Sequence, residues 1–223
     1  MTYRTWSERL PREVEVCPLQ LPGRGSRLHE APFTSMTALV EAMSQAILPH
    51  LNKPFALFGH SMGAAIGFEL ARRLRREGGG RTQPVKLFVS GRRAPQIPYP
   101  PILTYDLPEQ DFLEELRRLN GTPLEVLKNP ELMELMLPTL RADFSVIQTY
   151  TYTAEPPLDC PISVYGGLQD YEVGIEQLEA WREQTTASFS LQMLPGDHFF
   201  VNTSPPLLHS LGKELETLLL TVV

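Results

Sequence analysis

The stretch Phe55-Ala-Leu-Phe-Gly-His-Ser-Met-Gly-Ala-Ala-Ile-Gly-Phe-Glu-Leu70 decides the fold. A short apolar run leads into Gly59-His-Ser-Met-Gly63, which matches the pattern G-x-S-x-G, and a helical run leads out of it. Strand, tight turn and helix in this order are typical of a nucleophile elbow, in which a strained turn exposes a serine hydroxyl. The pentapeptide alone is weak, and an ordinary turn with an incidental serine is the competing interpretation. The setting favours Ser61 as a nucleophile at a helix N-terminus, where free N–H groups favour a developing oxyanion.

Apolar runs and amphipathic stretches predict the rest of the fold. Five runs indicate strands, at residues 14–21 (interrupted by Pro18), 55–58, 85–89, 162–165 and 189–194. One predicted helix follows a cap at Thr34 or Ser35 and has Leu39, Val40, Met43 and Ile47 on one face. A second has Ile66, Leu70 and Leu74 on one face and stops at the glycines 78–80. This alternation implies an α/β fold with a mostly parallel sheet, right-handed crossovers and helices on both faces.

Residues 103–152 interrupt the alternation with three predicted helices. Asp106-Leu-Pro108 starts the first of them and Asn120-Gly121 ends it. Thr122-Pro123 and Asn129-Pro130 each combine an N-cap residue with proline at the first helical position. Two interpretations of the insertion stay open: a subdomain that only covers the core, or a lid over a site at the strand ends. We predict one domain over residues 1–223 that contains this insertion.

Composition excludes several classes of protein. The chain has 223 residues, of which 42% are apolar and 21% charged, as expected for a soluble globular protein. A formal net charge of −6 argues against a broad nucleic-acid face, and no run reaches the ~18 apolar residues of a membrane span. The first residues show no secretory signal. Cys17 and Cys160 lack metal-site spacing, so we expect a cytoplasmic protein with no metal ion.

A serine hydroxyl needs a base to take its proton, and the chain has five histidines. The predicted base is His198, because it lies in the turn Pro195-Gly-Asp-His-Phe-Phe200, directly after a predicted strand. A loop at the end of one parallel strand can reach the serine on a neighbouring strand. His60 adjoins the serine, but its side chain should point elsewhere on so sharp a turn. The remaining three are His29, which follows a loop rich in glycine and arginine, His50 at a helix end, and His209 within the last amphipathic helix.

The third member of such a site must orient the imidazole and stabilise its positive form. Asp170 is the predicted acid, since it follows the strand at residues 162–165 and gives the chain order serine, aspartate, histidine. Three alternatives are weaker. Asp197 adjoins the base, Asp159 precedes its strand, and Asp143 lies in the helical insertion.

Motifs along nearly the whole chain resemble one known family, the type II thioesterases of polyketide and non-ribosomal peptide assembly lines. They are Trp6-Ser-Glu-Arg-Leu-Pro11, Leu19-Gln-Leu-Pro-Gly-Arg-Gly25, Phe55-Ala-Leu-Phe-Gly-His-Ser-Met-Gly63, Leu87-Phe-Val-Ser-Gly-Arg-Arg-Ala-Pro95, Leu140-Arg-Ala-Asp-Phe144, Tyr165-Gly-Gly167 with Asp170, and Gly196-Asp-His-Phe-Phe200. Their order is also that of the family. Together they are far more specific than G-x-S-x-G alone.

The resemblance implies an α/β-hydrolase fold and hydrolysis of acyl thioesters on the phosphopantetheine arm of acyl or peptidyl carrier proteins. The implied role is editing, the removal of wrong or stalled acyl groups, with acyl-CoA as a further substrate. The family's nucleophile, acid and base fall on Ser61, Asp170 and His198, and the N–H of Met62 is the implied oxyanion donor. No metal or organic cofactor is implied. We expect a monomer that binds neither nucleic acid nor membranes.

The resemblance also implies an upstream strand and a glycine-rich loop before the helix that contains Trp6. That loop supplies the second oxyanion N–H, and both pieces are missing from this chain. A misplaced start, a truncated chain and a short protein of weak activity are the competing explanations. We expect the functional protein to be longer, because loss of one oxyanion donor typically costs ~10²–10³ in turnover.

The resemblance also favours the lid interpretation of residues 103–152. Seven apolar residues there could line an acyl chamber: Leu132, Met133, Leu135, Met136, Leu137, Leu140 and Phe144. Of these, Met133, Met136, Leu137, Leu140 and Phe144 are the predicted acyl-binding residues; packing of the insertion is the competing role. Arg24, Arg92 and Arg93 would meet an acidic carrier protein or the pantetheine phosphate, or are simply solvated.

Two other functions remain open at the level of sequence. One is a carboxylesterase that acts on small oxygen esters with the same three residues. The other is a hydrolase-fold protein of low activity that binds a carrier protein without turnover. A complete triad argues against the second alternative, and the missing oxyanion loop argues for it.

Overall fold

The computed structural model describes residues 2–78, 82–98 and 103–222. Its strands are β1 (Ala56–His60), β2 (Lys86–Ser90), β3 (Ile162–Gly167) and β4 (Phe189–Leu194). Its α-helices are α1 (Met36–Ile47), α2 (Met62–Gly78), α3 (Glu109–Leu119), α4 (Leu124–Leu127), α5 (Pro130–Gln148), α6 (Ile175–Glu179) and α7 (Pro205–Val222). Short 3₁₀ helices lie at Trp6–Glu8, Gly25–Arg27, Leu48–His50, Ala180–Gln184 and Phe200–Asn202. No helix in the described ranges is long and apolar enough to cross a membrane.

Four parallel strands form the sheet, in the order β1-β2-β3-β4. Side chains alternate between its two faces. On one face Leu87 lies next to Gly67 of α2, and on the other Phe88 packs in a buried cluster with Leu207 and Leu211 of α7. Helices therefore cover both faces, and the predicted α/β fold with a parallel sheet is confirmed. All four strands end at the same edge of the sheet, which brings the loops after β1, β3 and β4 together.

The strand predicted at residues 14–21 is wrong. This segment forms no ladder with any described strand, and Leu19 is 50% exposed. Pro18 has no N–H to donate to a ladder, and an extended segment becomes a strand only when a neighbour satisfies its backbone groups. The other four strands exist within two residues of their predicted bounds, and β4 has the predicted bounds.

The described residues divide into two compact units. One consists of Met1–Leu19, Val40–Ile97 and Thr153–Val223 and contains the sheet. The other consists of Gln20–Leu39 and Pro98–Tyr152 and contains α3, α4 and α5. The assignment of residues 1–223 to one domain, with 103–152 as a lid, stays a prediction.

The second unit has the three predicted helices. Asn120 ends α3 in the left-handed conformation with a φ of 55°, and the side chain of Asn129 caps α5 by accepting from the N–H of Leu132 at 3.2 Å. Pro123 precedes α4 as its N-cap residue instead of occupying the first helical position. The buried core of the unit is the cluster Phe112, Leu116, Leu127, Met133 and Leu137.

Within the second unit, an ion pair joins two of the sequence motifs. Both terminal nitrogens of Arg24 donate to Asp143, at 2.9 and 2.7 Å. The hydroxyl of Thr139 donates to the carbonyl oxygen of Gly23 at 2.7 Å. These contacts fasten the 20–25 loop to α5, so Arg24 already has an anionic partner within the chain.

Glu214 on α7 stabilises the sheet through a polar cluster. Its carboxylate accepts hydrogen bonds from Ser163 at 2.6 Å and Tyr165 at 2.5 Å, and it pairs with Lys86. Burial raises the pKa of Glu214, but the hydrogen bonds from Lys86, Ser163 and Tyr165 outweigh burial and hold the pKa below its usual value. The folded state therefore favours the carboxylate form.

We expect Glu214→Gln to lower the free energy of unfolding by about 1–3 kcal/mol at pH 7, because Lys86 loses its charged partner. A lowered pKa in the folded state contributes stability above the unfolded-state pKa of roughly 4.3. That contribution is lost as the pH falls through the folded-state pKa. The difference between variant and wild type should thus be largest near neutral pH and shrink in acid. Chemical denaturation at several pH values measures it, with exposed Glu216→Gln on the same helix as the control. An equal effect of both substitutions would contradict the role of the cluster.

Candidate active site

The turn between β1 and α2 presents Ser61 in a strained conformation. Its φ is 51°, in the left-handed region that non-glycine residues rarely adopt. The N–H of Ser61 donates to the carbonyl oxygen of Ser90 on the neighbouring strand at 2.8 Å, which fixes the turn. A Cβ at Gly59 would lie 2.1 Å from the carbonyl oxygen of Gly63, so only glycine fits there. The predicted strand, turn and helix are all present.

His198 contacts both of the other predicted triad residues. Its Nε2 lies 3.0 Å from Oγ of Ser61, and its Nδ1 lies 2.8 Å from Oδ2 of Asp170. His198 follows β4, Ser61 follows β1 and Asp170 follows β3, so all three lie at the edge where the parallel strands end. The structure therefore brings together three side chains that are 28 to 137 residues apart in the chain.

Asp170 is held as a buried carboxylate. Its side chain is 1% exposed, and its second oxygen accepts from the N–H groups of Glu172 at 2.8 Å and Val173 at 3.2 Å. Burial raises the pKa of Asp170, but the hydrogen bond and charge of His198 and the two backbone N–H groups outweigh burial and lower the pKa. An ionised Asp170 accepts a hydrogen bond from the N–H at Nδ1 of His198, which leaves Nε2 as an acceptor toward Ser61.

The expectation that the side chain of His60 points away from the site is wrong, because its ring centroid lies 5.2 Å from that of His198. The other alternative bases and acids make no contact with Ser61 that the structure records. His29, His50 and His209 are exposed, as are Asp159 and Asp197. Asp143 pairs with Arg24, and Asp197 accepts from the N–H of Phe199 at 2.9 Å. In the part of the chain that the structure describes, no group of three or more His, Cys, Asp or Glu side chains is arranged to hold a metal ion.

Met62 is the first residue of α2. Its N–H lies in the first turn, where a helix offers no internal acceptor, and the helix dipole favours negative charge there. The backbone next to Ser61 can therefore donate to an oxyanion, as the sequence predicts for Met62.

The predicted acyl-binding residues all lie on α5, in the helical unit. Met133 and Leu137 are buried in its core, Leu140 and Phe144 pack against that core, and Met136 is half-buried. Met133, Leu137, Leu140 and Phe144 therefore fasten α5 to α3 and α4. The role of the five residues in acyl binding stays a prediction.

Gln169 makes a double contact that the sequence did not reveal. Its N–H donates to the carbonyl oxygen of Gly196 at 2.9 Å, and its Oε1 accepts from the N–H of Gly196 at 2.6 Å. The φ of Gly196 is 126°, a conformation that favours glycine. Gln169 precedes Asp170 and Gly196 lies two residues before His198, so this double contact joins the two loops. In the sequence Gln169 looks like an ordinary exposed loop residue.

We expect Gln169→Leu to lower kcat about tenfold with little change in KM, because one of the two hydrogen bonds between Gln169 and Gly196 is lost and small misplacements of catalytic groups are costly. Steady-state kinetics measures the effect. Gln169→Glu keeps an acceptor for the N–H of Gly196 and should retain most of the rate. A loss in the glutamate variant as large as in the leucine variant would argue against the hydrogen bond as the cause.

Comparisons with known proteins agree with this geometry. A family model described as a thioesterase domain matches residues 1–215. The chain is 51% identical over 199 residues to the gramicidin S biosynthesis protein GrsT of Aneurinibacillus migulanus, covering 89% of this chain and 77% of GrsT. It is 47% identical over 204 residues to the linear gramicidin dehydrogenase LgrE of Brevibacillus parabrevis, covering 90% of this chain and 77% of LgrE.

A solved structure is also similar. RedJ, a thioesterase from the prodiginine biosynthetic pathway of Streptomyces coelicolor, superimposes with a TM-score of 0.88 at 42% identity. The match covers 96% of this chain and 84% of RedJ. The family model, the relatives and the shared fold lead to one conclusion: the chain belongs to the thioesterase family of the α/β-hydrolase superfamily.

Proposed function

We propose that this chain is a type II thioesterase that hydrolyses acyl thioesters on the phosphopantetheine arm of acyl or peptidyl carrier proteins, and so edits mis-primed or stalled peptide and polyketide synthases. The observation that carries the proposal is the pair of hydrogen bonds that His198 makes, one with Ser61 and one with Asp170. The names of GrsT and RedJ, which refer to gramicidin S and prodiginine biosynthesis, support this substrate class.

In the first proposed step, Ser61 attacks the thioester carbonyl while Nε2 of His198 takes its proton. A bond forms between Oγ and the carbonyl carbon, and the resulting oxyanion accepts from the N–H of Met62. Asp170 stabilises the imidazolium that forms. The carbon–sulfur bond then breaks, and His198 returns the proton to the pantetheine sulfur, which leaves as a thiol.

In the second step, His198 takes a proton from water as the water attacks the acyl-serine ester. The bond between the carbonyl carbon and Oγ breaks, Ser61 recovers its proton, and the free carboxylic acid leaves. Every proton passes through His198, so the proposed reaction consumes only thioester and water. Residues of this chain supply the nucleophile, the base, the acid and one oxyanion donor.

A paired assay tests the substrate class. Acyl-carrier-protein and acyl-CoA thioesters are compared with p-nitrophenyl esters of the same acyl groups, using kcat/KM. We expect the thioesters to be preferred. A carboxylesterase would instead prefer the oxygen esters, and that result would replace the proposal.

A protein that only binds a carrier protein is the second alternative. Fluorophosphonate probes label a serine only when a base activates it. We expect stoichiometric labelling of Ser61, whereas an inert protein should not react.

We also propose that the protein works as a monomer in the cytoplasm, which sedimentation and cell fractionation would test.

LgrE is named a dehydrogenase, but we propose no dinucleotide site for this chain. The turn after β1 has Gly59-His-Ser-Met-Gly63 where a dinucleotide-binding turn has G-x-G-x-x-G. The serine and histidine in this turn support hydrolysis instead.

A further inference from the structure

The ring of His60 lies beside the ring of His198. Their centroids are 5.2 Å apart with an interplanar angle of 49°. The ring of His60 also meets the ring of Phe200 edge-on, at 5.6 Å. His60 therefore packs against both His198 and the first residue of the 3₁₀ helix at Phe200–Asn202. The hydrolytic mechanism assigns no step to this histidine.

Two neighbouring residues on β2 and just after it hold His60 in this place. Its Nδ1 lies 2.9 Å from Oγ of Ser90, which is fully buried. Ser90 also fixes the nucleophile turn, since its carbonyl oxygen accepts from the N–H of Ser61. Gly91 leaves room for the ring, because a Cβ there would lie 2.7 Å from Cε1 of His60. Ser90 and Gly91 thus fix the position of the His60 ring.

The ring of His60 stays neutral at pH values near 7. Burial and the nearby charge of His198 lower the pKa of His60 to about 3, although Asp170 acts in the opposite direction. Its Nε2 is buried and makes no hydrogen bond to any described residue. His60 is therefore neither a second base nor a cation.

We propose that His60 is a positioning residue for the base: its ring braces the imidazole of His198 against Ser61. The inference deepens the proposed function and rests on it. When His198 takes the serine proton it becomes a cation, and a neutral aromatic neighbour does not repel that charge as a cationic residue would. Ser90 completes the arrangement, because it holds His60 and Ser61 at once.

Three variants separate the ring from its hydrogen bond. His60→Ala removes both, His60→Asn keeps a hydrogen-bonding group near Ser90 without the ring, and His60→Phe keeps a ring without the hydrogen bond. The rate of fluorophosphonate labelling at Ser61 is measured for each, per mole of folded protein. Exposed His209→Ala is the matched control.

We expect the alanine and asparagine variants to react about ten- to a hundredfold more slowly, because His198 loses the ring that holds its imidazole toward Ser61. The phenylalanine variant should stay within about fivefold of wild type, and the control should match wild type. Thermal unfolding midpoints identify any variant that fails to fold, and the remaining two variants then decide whether the ring of His60 has the proposed role.

A wild-type labelling rate in His60→Ala would overturn the proposal. So would a rate in His60→Phe as low as in His60→Ala, because the ring would then have no role. The labelling rate needs no thioester. If the protein reacts with the probe but releases no acyl group from a carrier protein, the proposed substrate class fails while the result for His60 stands.

Discussion

Replacing Ser61 with alanine is expected to lower thioester hydrolysis about 10⁴- to 10⁶-fold. In serine hydrolases the loss of the nucleophile removes the covalent route, and the rate that remains comes from oxyanion stabilisation and binding alone. Here Ser61 is also the residue that the strained turn, with its φ of 51°, presents to His198. Substrate binding should persist, so kcat falls far more than KM rises.

Release of free thiol from acyl-pantetheine measures this prediction, with single-turnover conditions for the slow variant. Exposed Ser188→Ala, a serine that precedes β4, is the matched control and should keep the wild-type rate. A loss of less than tenfold in Ser61→Ala would mean that another residue or a bound water attacks the thioester.

Asp170→Asn is expected to lower kcat about 10⁴-fold. An amide in place of the carboxylate no longer selects the tautomer of His198 that carries its proton on Nδ1, and it does not stabilise the imidazolium. The buried side chain already has a full set of partners, with His198 on one oxygen and two backbone N–H groups on the other. The variant should therefore keep its structure while it loses its rate.

Two exposed aspartates provide the controls. Asp197 adjoins His198 in the chain but is exposed, and Asp159 is exposed before β3. We expect Asp197→Asn and Asp159→Asn to remain within a few-fold of wild type, as is usual for exposed substitutions. If Asp197→Asn lost more activity than Asp170→Asn, the assignment of the acid would be reversed.

Local sequence predicts the parts of this protein that depend on local physics. The elbow at Gly59-His-Ser-Met-Gly63 needs small residues at fixed spacing, so its pattern is visible in a single stretch. The bounds of β4 coincide with an apolar run, and Asn129-Pro130 marks the start of α5. His198 and Asp170 are predictable because residues after parallel strands must meet at one edge.

Contacts between distant loops are not visible in this way. The link from Gln169 to Gly196 and the ion pair of Arg24 with Asp143 join residues 27 and 119 positions apart. His60 was expected to point away from the site, and only the structure shows that its ring packs against His198. The failed strand at residues 14–21 has the same cause, because a strand depends on a pairing partner as well as on its own residues.

The most direct measurement is the intact mass of an acyl-loaded carrier protein after incubation with catalytic amounts of wild type or Ser61→Ala. We predict that the wild type removes the mass of the acyl group and leaves the bare phosphopantetheine thiol, while the carrier protein incubated with Ser61→Ala keeps its load. Equal release by both proteins, or no release by the wild type from any acyl-loaded carrier protein, would contradict a Ser61-dependent thioesterase.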